Sequence, residues 1–62
     1  MAELAVQRRI TRAIDKLELA LADLRAAAAD AADAARKLKD ADRFLQLGRH
    51  EIRGAQKELG RG

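Results

Sequence analysis

The clearest feature of the chain is an apolar position that returns every seven residues without a slip. Starting from Ile10, the series runs Ile10, Leu17, Leu24, Ala31, Leu38, Leu45, Ile52 and Leu59, bulky aliphatic at every step but one. Four residues before each of these, or three after, lies a second series: Val6, Ala13, Ala20, Ala27, Ala34, Ala41, Gly48 and Ala55, small at every step after the first. Two apolar rows alternating at spacings of three and four define one face of an α-helix, and a seven-residue period held over the whole chain is the seam of a coiled coil. With the first row at heptad position a and the second at d, the seam is large at a and small at d. Parallel helices would set alanine against alanine in each d layer and leave voids. Antiparallel helices place each large a residue beside a small d residue, in the close-backbone arrangement known as an Alacoil.

The pattern therefore predicts an all-α chain: a single long Ala-rich amphipathic helix forming an antiparallel, Alacoil-like coiled coil with a second copy. The alternative is a helical hairpin turning near Ala32 and Asp33, because a chain folded back on itself makes the same pairs as an antiparallel dimer. The segment RAAAADAADAARK, residues 25–37, holds eight alanines in thirteen positions and no Gly, Asn or Pro, the residues that commonly turn one helix into the next. Alanine is the best helix former, so the continuous helix is the expected form. In either form the segment lies where Ala31 meets Ala34 and the backbones can approach most closely. Gly48, Gly54, Gly60 and Gly62 weaken the C-terminal part of the chain as a helix. The main helix is accordingly expected over about 3–47, with a weaker continuation or a short second helix over 49–59 and a frayed Gly-rich end, all within one module spanning 1–62.

Charge selects a register. In an antiparallel pair the g positions face one another, and here they read Arg9, Lys16, Asp23, Asp30, Lys37, Phe44, Glu51, Glu58. When facing a and d residues have numbers summing to 65, as Leu17 and Gly48 do, Arg9 meets Glu58, Lys16 meets Glu51 and Asp30 meets Lys37. Exposed pairs contribute only about 0.2–1 kcal/mol each, so they choose among registers, while burial of the a row supplies the adhesion. Ile14, Leu19, Leu21, Phe44 and Leu47 fall outside the seam and imply a second partner surface.

Composition narrows the function. The chain has 62 residues, a net charge of +3, one aromatic residue and no cysteine, too little to close a large core alone. Self-association is expected, as a homodimer or a tetramer, together with a larger protein partner. Charges recur along the chain, so neither a membrane span nor a secretory leader is expected. One Thr, one His and no Ser, Cys or Tyr leave no set for catalysis, and no phosphate loop, zinc spacing or nucleotide fingerprint is present. No catalytic, cofactor or metal residue is assigned; Asp30 and Asp33 read as local ion-pair partners rather than cation ligands. Arg36, Lys39, Arg43, His50, Arg53 and Lys57 form a basic strip on the outer face, roughly 30 Å long at 1.5 Å per residue. Nucleic acid is the second reading of that strip after a solvated helix back, since Asp33, Asp40 and Asp42 flank it and no aromatic is available for base stacking. The abundance of Ala, Arg, Leu, Asp and Gly suits a GC-rich bacterial or phage source. The expectation is a non-enzymatic structural or interaction module, cytoplasmic or within a phage particle, bracing or adapting a larger assembly.

Overall fold

The computed structural model of the chain describes residues 2–60; Gly62, one of the four helix-weakening glycines, lies outside them. Two α-helices, α1 (Ala2–Ala29) and α2 (Ala34–Gly60), are joined by a short 3-10 turn at Ala31–Asp33 and pack against each other. Residues 9 and 58, 17 and 48, and 23 and 37 come together, so the chain doubles back along its own length. The result is a rod of 48 × 14 × 10 Å.

The hairpin corrects the expectation of one continuous helix, and Asp30 is the physical reason. Its N–H closes the last turn of α1 on the Ala26 carbonyl at 3.1 Å, but its backbone is extended (φ −142°, ψ 102°), where a helix cannot continue. Its carboxylate accepts the Ala32 N–H at 3.0 Å and its carbonyl accepts the Asp33 N–H at 3.2 Å. Asp30 thus caps the 3-10 turn that leads into α2 and occupies N–H groups that a helix start leaves without partners. No residue in the turn, and no other described residue, takes a positive φ. Aspartate competes for local backbone donors and is a poor residue for a helix interior, so two cap bonds outweigh the propensity of the alanines around it.

The break therefore falls at Asp30 and not near Gly48. Helix α2 runs through Gly48 and Gly54 without interruption, because Gly48 sits at the helix contact. A Cβ built there would lie 3.4 Å from the Leu17 side chain and 3.6 Å from the Ala13 carbonyl. The residues fully enclosed between the helices are Val6, Ala13, Ala20, Ala41, Gly48 and Ala55. All six are d positions, and none is larger than valine.

Substitutions in the turn and in the contact row test this geometry. Asp30→Ala removes the cap and should lower stability by about 1 kcal/mol, read as a fall in the urea midpoint at constant slope, with Asp30→Asn recovering most of it. Ala20 is 1 % exposed between the helices, so Ala20→Leu should overpack and cost about 1–3 kcal/mol. Gly48→Ala meets only ordinary contact distances and should stabilise α2 by up to about 1 kcal/mol through helix propensity; thermal unfolding followed by circular dichroism measures both.

Candidate functional site

With the d row against the opposite helix, helix geometry sends the a and g rows to opposite sides of the hairpin. The two sides differ in chemistry. The side carrying g is polar and held by ion pairs. Arg9 reaches Glu51 at 3.3 Å and Glu58 at 3.4 Å, and Arg12 stands 4.0 Å from Glu51. Lys37 stands 4.0 Å from Asp23.

Of the three expected pairs, the structure brings Arg9 to Glu58, within one chain rather than between two. It does not bring Lys16 to Glu51, whose carboxylate is held by Arg9 and Arg12 instead. Nor does it bring Asp30 to Lys37, because the Asp30 carboxylate is engaged in the turn and Lys37 reaches one heptad further, to Asp23. Arg12 at position c is not foreseen by a reading that sets g only against g; a guanidinium at c is long enough to reach the flank of the seam. Arg9 also covers Gly54, where any Cβ would collide with its guanidinium, so that glycine makes room for the arginine.

The other side carries the large a residues of both helices together with two e residues of α1, Ile14 and Leu21. These are the hydrophobic groups that the d row displaced sideways. Ile10, Ile14, Leu17, Leu21, Leu24, Leu38, Leu45, Ile52 and Leu59 are all exposed, from 37 % for Leu45 to 65 % for Leu59. Toward the open end of the hairpin they enclose an apolar groove of about 340 Å3, whose walls are Ile10, Ile14 and Leu17 on α1 and Ile52 and Leu59 on α2, over a floor of Ala13 and Ala55. Near the turn, Ala27 and Ala34 are half-buried and Ala31 is exposed.

The residues expected to form a second partner surface do not share one face. Ile14 and Leu21 join the apolar a side. Leu19 and Leu47, at c, and Phe44, at g, fall on the opposite side, where Leu19 and Leu47 are 45 % and 43 % exposed and Phe44 is half-buried. They stand at one level of the hairpin, and Phe44 takes the place of a charge in the g row there.

The basic strip Arg36, Lys39, Arg43, His50, Arg53 and Lys57 is exposed along the outside of α2. Arg36 is engaged by Asp33 at 3.2 Å, and Gln46 donates to Asp42 at 3.1 Å. His50 and Arg53, with Gln46 and Arg49, line a shallow depression of about 310 Å3. Among the described residues no group of three or more His, Cys, Asp or Glu side chains is placed to hold a metal ion, and no helix is long and apolar enough to cross a membrane.

The polar side gives a direct test of what the ion pairs contribute. Arg9→Ala should cost about 1 kcal/mol, because it removes two partly screened pairs at once, and the difference from the unaltered chain should shrink in molar salt, where screening acts over about 3 Å. A difference that is independent of salt in parallel urea titrations would assign the effect to the packing of the arginine stem. Comparison with known proteins finds no matching family, no similar characterised sequence and no similar solved structure.

Proposed function

We propose that this chain is a non-enzymatic helical interaction module, self-associating, that braces or adapts a larger bacterial or phage assembly. Its two helices pack as an antiparallel, Alacoil-like coiled coil, and its work is to present a shaped surface. The observation that supports this reading is the one-sided apolar face: nine large aliphatic side chains exposed in a row along a chain whose buried contact holds only Ala, Gly and Val. Monomeric proteins rarely leave a contiguous apolar surface of more than a few hundred Å2 open to water, and larger ones mark contact sites. Leu19, Phe44 and Leu47 on the other side supply a smaller contact for a larger protein partner. The cytoplasm or the interior of a phage particle is the setting that accords with this role.

A second reading uses the exposed strip from Arg36 to Lys57 as a phosphate-contacting surface of a small nucleic-acid-binding or regulatory protein. The observation in its favour is the basic depression at Arg49, His50 and Arg53. It stands second because Asp33 and Asp42 lie beside the strip and no aromatic side chain stands in it.

A photo-crosslinking amino acid placed at Leu21, on the apolar face, or at Arg43, on the basic strip, separates the readings in the source cell. The first expects protein adducts from position 21 and few from position 43. Nucleic-acid adducts from position 43, with none to protein from position 21, would replace it with the second, and that binding should then weaken steeply with salt.

A further inference from the structure

We infer that the occupant of the apolar face is a second copy of this chain: two hairpins stack face to face with both turns at the same end, giving a four-helix bundle in which each α1 lies between its own α2 and the α2 of the other copy. This rests on the reading of that face as the contact surface, and three observations carry it further.

The first is the composition of the layers. Between the open-end level, where Val6 falls with Leu59, and the alanines at the turn, five levels in succession hold one large and one small seam residue: Ile10 with Ala55, Ala13 with Ile52, Leu17 with Gly48, Ala20 with Leu45, Leu24 with Ala41. The small member is buried between the helices, whereas the large one is about half exposed because nothing lies over it. A two-fold axis parallel to the helices adds the same pair diagonally opposite. Every one of these levels then contains two large and two small residues, so none is overfilled and none is left empty. Alternation of large and small across facing positions is what lets the layers of a bundle interdigitate.

The second is the charge along the rims. Beyond the apolar rows, α1 presents Thr11, Glu18 and Arg25, and α2 presents Lys39, Asp42, Arg49, Arg53 and Gln56. A pure rotation preserves height, so α1 meets the other copy's α2 in the register it already has with its own. Glu18 then falls opposite Arg49, Arg25 opposite Asp42, and Thr11 opposite Gln56, each at the residue offset at which Arg9 reaches Glu58 within the hairpin. Stacking with the turns at opposite ends would instead lay α2 along the other α2 and set a rim of three cations and one anion, Lys39, Asp42, Arg49 and Arg53, against its own copy, where the net like charge disfavours that arrangement.

The third is area. The nine exposed aliphatic side chains offer on the order of 800 Å2, which is about what each partner contributes to a stable interface of standard size. A short amphipathic peptide would cover only part of a face that runs most of a 48 Å rod; a second hairpin has the same length and covers it from end to end.

Sedimentation of the full chain at tens of micromolar should give twice the 6.8 kDa of one chain. Ile14→Glu combined with Leu21→Glu, both outside the buried row between α1 and α2, should weaken dimerisation at least tenfold. In case that variant loses its fold together with its partner, the rim supplies a gentler one: Glu18→Arg should weaken the dimer severalfold and Arg49→Glu in the same chain should restore it. A nitroxide label on Ala32→Cys reports orientation. Labels much closer together than the 48 Å length of the rod support turns at one end, and a separation near that length overturns the arrangement. A chain that is monomeric in sedimentation, whatever its helix content, overturns the second copy. If that monomer still gives adducts to other proteins through position 21, the reading of the face survives it; if position 21 gives no protein adduct, both fall.

Discussion

Everything in this molecule depends on how closely two helix backbones can approach. The contact row of both helices is alanine or glycine from Ala13 onward, apart from Val6 at the open end, and Gly48 faces the Ala13 carbonyl and the Leu17 side chain across a gap that a methyl group would just fill. At such a separation no leucine fits between the axes. The large residues of the seam are pushed to one flank and the g row to the other, and this displacement makes the two sides of the hairpin unlike. In an ordinary seam the bulky residues stand between the helices and both flanks are polar. Here the seam is thin, one flank is ionic and the other is oily.

The energetics obey the same division. Dispersion contacts between tightly packed small groups are numerous but individually weak, and enclosing alanines removes little apolar area from water. Much of the hydrophobic free energy resides in the large leucines and isoleucines, about half of whose surface the single chain leaves in water. Ion pairs around Arg9 fix which residues stand opposite one another more than they add stability. Such a hairpin holds its shape by fit and leaves a broad apolar surface uncovered.

Much of this was legible in the sequence, for reasons that can be named. The helix content and the pairing of Leu17 with Gly48 come from a seven-residue period that no residue interrupts, since periodicity over so many turns leaves no freedom in the choice of face. The meeting of Arg9 with Glu58 comes from the same alignment. The turn was not legible from propensity. Alanine on both sides of Asp30 argues for continuation, and only the ability of an aspartate side chain to accept the N–H two residues ahead argues for a stop; a carboxylate followed by small residues is compatible with either outcome. The division of the surface was missed for a related reason. Treating a and d as equal partners in the seam hides the fact that tiny d residues rotate the contact toward themselves, carrying Ile14 and Leu21 to one side of the hairpin and Leu19, Phe44 and Leu47 to the other. The redirected partners of Lys37 and Glu51 reflect side-chain reach: Arg9 spans two heptad levels, and Lys37 reaches a carboxylate one level beyond the expected one.

The row of alanines also inverts the usual relation between a core and the mutations that reach it. In most domains the interior fails when atoms are lost, because large residues are replaced by small ones and cavities open. At Ala13, Ala20, Ala41 and Ala55 there is almost nothing to lose. The genetic code makes this costly: among the residues one base change away from an alanine codon, which are Gly, Ser, Thr, Val, Pro, Asp and Glu, only glycine is smaller. Nearly every spontaneous change along this seam therefore adds bulk, charge or a ring, whereas on the apolar flank Leu, Ile and Val exchange for one another by single bases with little change in shape. Inheritance of this fold should thus hold the alanines fixed while the aliphatic residues drift, the reverse of the pattern by which hydrophobic cores are ordinarily recognised.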